Sequence, residues 1–268
     1  MTVELRPAST VLLLRDGTEG LEVFMVQRHH RSGFMPNAWV FPGGRVDETD
    51  QLAAHSRVLG TAPLAERLAR QAEDAAGFGV AAVRETFEES GVWLGTGQPD
   101  ATRRKALHAG ELSMAKVLED GAGPVDLGQL IPWAWWVTPK QERRRFEALF
   151  FAVPAQDAEG EHDTIETVDS RWIAPKQALA MANQDFPLAP PTWWTLIQLA
   201  KFDRMAEALA RPPWVARAIE PIIRFPDQSI ELLLPGHPEH PDPAVEGYPD
   251  RITFDQRWRA WRGADRIS

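Results

Sequence analysis

Residues 9–14 form an apolar run rich in Leu and Val, which predicts a buried strand. Asp16-Gly17-Thr18-Glu19-Gly20 reads as a turn. Leu21 to Arg28 follows with neither face strongly polar, the pattern of a strand central in its sheet. Trp39–Phe41 is a short strand stopped by Pro42. Leu52–Leu59 and Pro63–Ala76 read as helices, with Pro63 suited to an early helical position. Gly77-Phe78-Gly79 reads as a flexible joint before another helix. On that helix Val80, Val83 and Phe87 share one face. Glu85, Glu88 and Glu89 fall within about one third of the circumference on the opposite face. Residues 101–119 are helix-like, and Leu130–Thr138 is a strand interrupted by Pro132. Arg145–Val153 is a strong strand, 157–163 an acidic loop, and Glu166–Ile173 a shorter strand. Helices are predicted over Lys176–Asn183 and from Pro190 to about Ala210. Beyond Arg211 the chain turns Pro-rich, with strand-like runs at Ile219–Phe225 and Ser229–Leu234. This order predicts a mixed α/β domain over 5–210, with 211–268 an appendage packed on it or on a second subunit of a homodimer.

The three glutamates repel one another when crowded on one helix face. A solvated acidic surface is one way to accommodate them. A hard divalent cation is another, because it takes carboxylate oxygens as ligands. The segment Phe41-Pro42-Gly43-Gly44-Arg45-Val46-Asp47-Glu48-Thr49-Asp50 favours the cation. Its paired glycines permit a tight turn and a close backbone approach to a ligand.

Gly44 through Asp50, taken with Arg84-Glu85-Thr86-Phe87-Glu88-Glu89-Ser90-Gly91-Val92, resembles the signature box of the Nudix hydrolase superfamily. Asp50 stands where the box has its first Glu, and Thr86 where it has an apolar residue. Residues 51–83 split the box, a 33-residue stretch far longer than the usual spacer. A long insertion here is similar to the peroxisomal coenzyme A diphosphatase-like branch, as are Gly33–Gly44, Trp136-Val137-Thr138-Pro139, Arg145–Phe151 and Trp172–Leu179.

The resemblance implies a Nudix α/β/α sandwich with a helical insertion and a pyrophosphohydrolase acting by water attack at phosphorus. It implies Mg²⁺ or Mn²⁺ held by Glu85, Glu88, Glu89 and the carbonyl of Gly43, with Arg84 orienting a box carboxylate by a salt bridge. The general base is expected in a loop remote from the box: Glu166 first, Asp163 and Glu161 next, with Glu89 itself a further candidate. Arg28, His29, His30 and Arg31 are candidate substrate contacts, and Arg143-Arg144-Arg145 is a candidate phosphate clamp. The branch points to coenzyme A or acyl-coenzyme A, cleaved to 3′,5′-ADP and a 4′-phosphopantetheine product. ADP-ribose, NADH and dinucleoside polyphosphates are rival substrates, and a nucleotide sensor without turnover is the rival class.

Composition narrows the setting. A formal net charge of −9 argues against bulk attraction to nucleic acid, and makes local cations necessary for a phosphorylated ligand. With no cysteine there is no disulfide or thiolate metal site, as expected of a reducing, cytoplasmic location. Neither a secretory start nor a membrane-spanning run is read in the chain. Eleven tryptophans against one tyrosine are expected mainly in the core.

Overall fold

The computed structural model describes residues 3–32, 35–53, 57–163, 165–182, 186–210, 214, 216–226, 229–255 and 260–263. Strands β1 (Leu5–Gly17) and β2 (Gly20–Arg28) form an antiparallel hairpin closed at Gly17 and Gly20. β3 (Trp39–Val40) pairs with the outer side of β2, whereas β4 (Gly43–Arg45) pairs with β1. The chain crosses between the two at Phe41-Pro42, where the Pro42 carbonyl accepts from the Val11 amide.

Then come α1 (Glu48–Ala53), β5 (Val58–Leu59), α2 (Thr61–Leu68) and α3 (Ala72–Ser90). After α4 (Ala101–His108) and α5 (Met114–Glu119), β6 (Val125–Asp126) runs parallel to β5. β7 (Ile131–Val137) and β8 (Arg145–Pro154) form a second hairpin, and β8 runs parallel to β1. β9 (Thr167–Ile173) returns to pair antiparallel with β2. The resulting seven-stranded sheet has the order β3-β2-β1-β8-β7, with β4 also on β1 and β9 also on β2. Pro132 marks an irregularity in the β7–β8 register, since it has no amide hydrogen to donate.

Side chains alternate across the sheet, and both faces are covered. Val11, Leu13, Phe24 and Val26 face α3 and α2, meeting Phe78, Val80, Val83, Phe87 and Leu64. Leu12, Leu14, Val23 and Met25 belong to the opposite layer with Trp133, Trp136, Trp193 and Trp194. Burial on both sides explains why residues 9–14 show no polar alternation. The second layer is built by α6 (Pro175–Met181), α7 (Pro190–Leu199) and α8 (Met205–Leu209). Strands β10 (Ile222–Arg224), β11 (Ser229–Leu233), β12 (Arg251–Asp255) and β13 (Ala260–Gly263) form a separate antiparallel sheet. Its Leu232 and Ile252, with Leu234 and Val245 beside it, enter that same layer. No helix among the described residues is long and apolar enough to cross a membrane.

Several boundaries differ from those read in the sequence. Gly77-Phe78-Gly79 is no joint: α3 passes through it without a break. A Cβ on Gly79 would lie 2.7 Å from Leu127 Cδ1 and 3.0 Å from Leu64 Cδ2, so close packing is what a side chain would disturb there. The predicted helix Pro63–Ala76 is two helices, broken at Ala69, which takes a left-handed conformation (φ 52°). Leu52–Leu59 is not one helix either: α1 ends at Ala53 and β5 begins at Val58, with 54–56 outside the described residues. Gly43 and Gly44 lie in a strand rather than a turn. The predicted helix 190–210 is interrupted near Asp203, whose carbonyl accepts from Leu21 of β2. Asn183, the predicted end of the preceding helix, lies outside the described residues.

Candidate active site

The second half of α3 meets β4 at one end of the sheet. Glu88 and Glu89 are buried, at 7% and 6% exposure, so a solvated acidic face is excluded. Arg84 lies at the centre. Its Nε and Nη2 donate to the two oxygens of Asp50, each at 2.9 Å. Nη1 donates to Glu85 at 2.8 Å and to Glu88 at 3.2 Å, and Nη2 donates also to the Arg45 carbonyl at 2.8 Å. These contacts engage all five N–H donors of the guanidinium. Asp50 is fully buried and also accepts from the Asp47 amide at 2.9 Å, which ties the start of α1 to the cluster.

Glu89 stands apart from Arg84. Its Oε2 accepts from the Gly43 amide at 2.8 Å. The two glycines are explained by sterics. A Cβ on Gly43 would sit 2.2 Å from the Ser9 carbonyl oxygen, and one on Gly44 2.4 Å from a Glu85 oxygen. The Ser9 hydroxyl donates to the Phe78 carbonyl at 2.7 Å, fixing α3 to β1 behind the site.

Crowding and burial perturb Glu85, Glu88 and Glu89. Burial pushes Glu85 up to about 7, against the lowering effect of Arg84. Burial likewise pushes Glu88 up to about 8, again opposed by Arg84. Glu89 is raised well above the ordinary glutamate value by burial first and by the charge of Glu85 next, while the Gly43 amide offsets part of this. Burial works against the charge of Arg84, but Asp50, Glu85 and Glu88 more than compensate and raise its pKa.

Among the described residues, four carboxylates thus gather around the Arg84 guanidinium, and the charge of Glu89 also acts on Arg104. Such an excess of buried negative charge suits a divalent cation, and the all-oxygen donor set suits a hard one. Among the described residues, no three Asp, Glu or His side chains form a ready-made group around one centre. Arg84 draws Glu85 and Glu88 to itself, while the Gly43 amide holds Glu89.

The loop before β9 borders this cluster. The charge of Glu166 acts on both Glu85 and Glu89, and that of Asp163 on Glu89. Glu166 is exposed, whereas the Asp163 side chain is only 3% exposed. Asp163 Oδ1 accepts from the amides of Ile165, Glu166 and Thr167 and from the Thr167 hydroxyl, at 2.8–3.0 Å. Glu161 is exposed and its charge acts on Arg104.

The His29 amide donates to the Glu166 carbonyl at 2.8 Å, so the end of β2 adjoins the same loop. Arg28 donates from Nε and Nη2 to the Ser32 hydroxyl at 2.9 and 2.7 Å. The His29 and His30 rings lie 4.0 Å apart, and the His29 pKa is lowered by desolvation first, then by His30 and Arg31. Arg31 is exposed.

Arg145 lies away from the glutamate cluster. It donates to the Thr138 carbonyl at 3.0 Å and pairs with Glu220, so its guanidinium is occupied in joining the β7–β8 hairpin to the later segment. Arg145 stands opposite Leu5 on β1, whereas Gly43 stands opposite Thr10. Five residues along a strand separate them by roughly 17 Å. Arg143 and Arg144 are exposed.

The sequence profile of the NUDT19 Nudix domain matches residues 6–199. The chain belongs to the Nudix hydrolase family. This Nudix hydrolase is 31% identical over 210 residues to a Caenorhabditis elegans protein named as nudix hydrolase 7, covering 75% of its own length and 62% of the relative's. It is 29% identical over 286 residues to the acyl-coenzyme A diphosphatase NUDT19 of Gallus gallus, covering 82% and 74% of the two chains. A crystal structure of a Nudix hydrolase from Alicyclobacillus acidocaldarius superposes with a TM-score of 0.70 at 25% identity, over 79% of this chain and 98% of that one. The mixed sheet between helical layers is therefore the Nudix fold, and the Arg84–Asp50 pair lies within the split Nudix box.

Two contributors were not read from the sequence. In the sequence Asp50 is only a substitution in the box, yet in the fold it is the bidentate partner of Arg84. Arg104, on α4, donates to the Glu88 carbonyl at 3.0 Å and to the Glu161 carbonyl at 2.7 Å. Nothing in the local pattern of residues 101–108 distinguishes it.

Proposed function

We propose that the chain hydrolyses the pyrophosphate bond of coenzyme A or an acyl-coenzyme A, giving 3′,5′-ADP and 4′-phosphopantetheine or its acyl derivative. The observation that carries the hydrolytic reading is the buried cluster of Asp50, Glu85, Glu88 and Glu89 around Arg84, in which Glu89 accepts from the Gly43 amide. The substrate class is supported by relatives named as acyl-coenzyme A diphosphatases.

Glu85, Glu88 and Glu89, with the Gly43 carbonyl, would hold Mg²⁺ or Mn²⁺, and Asp50 holds Arg84 in place beside them. The cation supplies charge neutralisation at the phosphoryl oxygens and lowers the pKa of water. Glu166 accepts a proton from the attacking water. The new P–O bond forms as the bridging P–O bond breaks, and the bridging oxygen leaves with its electron pair on the other phosphate. Arg28 and Arg31, at the end of β2, would supply positive charge to a phosphate group that the net charge of the chain would otherwise repel, and His29 beside them would offer a ring N–H.

The test is chromatographic turnover of coenzyme A, acetyl-coenzyme A, ADP-ribose and NADH with Mg²⁺ or Mn²⁺, with Glu89→Gln as blank. Preferential metal-dependent release of 3′,5′-ADP is expected. Turnover of ADP-ribose or NADH alone would overturn the substrate class and leave the hydrolase. Metal binding with no turnover of any substrate would favour a nucleotide sensor.

A further inference from the structure

Glu166 sits on an exposed loop, yet a general base needs a fixed position near the reacting atoms. The surroundings of that loop are built to hold it. Its entry is fastened to the end of α3: the Glu161 amide donates to the Ser90 carbonyl at 2.8 Å. Arg104 bridges the same two elements through the Glu161 and Glu88 carbonyls. A cation is favoured there, beside the C-terminus of α3. Gly91 leaves room for it, since a Cβ would lie 3.0 Å from Arg104 Nη1. The exit is fastened by the Glu166 carbonyl, which accepts from His29 just beyond β2.

Between these anchors lies Asp163. Its buried Oδ1 gathers three successive amides and a hydroxyl, and the amide of Glu166 is one of them. Among the described residues, its buried Oδ2 has no hydrogen bond and lies 3.9 Å from Nδ1 of His108, which likewise has none. His108 and Arg104 are four residues apart, on one face of α4. A carboxylate withdrawn this far from water, with its hydrogen bonds directed to backbone, orders the chain rather than reacts.

We propose that Asp163 is a positioning residue: it fixes Glu166 against the glutamate helix, with Arg104 and His108 of α4 bracing the loop from behind. The inference rests on the assignment of Glu166 as the general base. It separates the roles of three carboxylates that the sequence ranks only as Glu166 first and Asp163 and Glu161 next. Glu166 is free to take a proton, Asp163 is committed to the backbone, and Glu161 contributes its main chain.

The test is a double-mutant cycle in the full chain, read as kcat and KM, with Mn²⁺ affinity followed by electron paramagnetic resonance. Asp163→Ala should lower kcat by about 10–100-fold, because displacement of a reacting group by about 1 Å costs on that scale. KM and Mn²⁺ affinity should stay within about threefold, since the carboxylates of α3 are untouched. Asp163→Asn keeps the Oδ1 acceptor and should recover most of the rate. In a Glu166→Gln background, Asp163→Ala should add less than about twofold, as expected for residues acting as a unit. Thr167→Val, which deletes one of the four bonds with little change in volume, should lower kcat several-fold and serves if Asp163→Ala does not fold. Equal losses from Asp163→Ala in both backgrounds would overturn the positioning role while leaving Glu166 as base. An unchanged kcat for Asp163→Ala and Thr167→Val would do the same. An unchanged kcat for Glu166→Gln would overturn the base assignment and the inference with it.

Discussion

At the residue scale, the site depends on one guanidinium. Arg84 pairs with Asp50 through a planar fork that lysine lacks, and its remaining donors reach Glu85, Glu88 and a main-chain carbonyl. Removing one partner of a buried charge pair leaves the other uncompensated. Asp50→Ala should therefore cost about 3–5 kcal/mol, measured by denaturant unfolding. The raised carboxylates make a second prediction. Glu85 and Glu88 stand at about 7 and about 8 in the fold, above the ordinary 4.5 that they regain on unfolding. Their contribution to stability is fully present below pH 4.5 and is lost as pH rises through 7 to 8. A divalent cation requires these groups deprotonated and reverses the penalty. The rise in Tm on adding Mg²⁺ should be larger at pH 8.5 than at pH 6, by thermal scanning. A rise independent of pH would dissociate the cation from these glutamates.

At the scale of elements, most strands and the glutamate helix were legible because burial pattern and local chemistry agree. Residues 9–14 and Arg145–Val153 are apolar enough to declare buried strands, and they pair with each other in parallel. What misled was glycine. Gly77 and Gly79 look like punctuation, but they are small residues inside a continuous helix. Their neighbours decide their roles. A Cβ on Gly77 meets the exposed Gln51 side chain at 3.2 Å, which has room to yield. Gly77→Ala should raise stability by about 0.5–1 kcal/mol through helix propensity. Leu64 and Leu127, beside Gly79, are fully buried and have no such room. Gly79→Ala should lose about 1–3 kcal/mol by overpacking. If both positions were joints, the two substitutions would stiffen the chain alike. Partners brought from afar were also illegible: Arg104 reaches Glu88 and Glu161 only because α4 folds back across the end of α3, and no periodicity encodes that.

At the scale of the whole molecule, the split box is rejoined by the fold. The inserted segment is not an excursion from the core: Leu64 and Leu68 of α2 and Phe78 of α3 pack beneath the sheet with Val11 and Leu13. Deleting residues 52–76 is therefore expected to abolish folding, read as loss of the cooperative thermal transition, rather than to alter substrate choice alone. The carboxylates of the box, by contrast, were legible from their spacing, because a helix fixes which side chains share a face whatever precedes it. Their union with Gly43 is a product of the sheet, through β4 on β1.

The central claim is that this cluster is a cation site in which Glu89 is a direct ligand. The measurement that bears on it most directly is a Mn²⁺ titration of the wild-type chain and of Glu89→Gln at pH 8, followed by electron paramagnetic resonance. The account predicts saturable binding to the wild type and a loss of affinity exceeding about tenfold in the variant, since even residues behind the ligands contribute on that scale. Equal affinity in both proteins, or no saturable binding to the wild type, would contradict it.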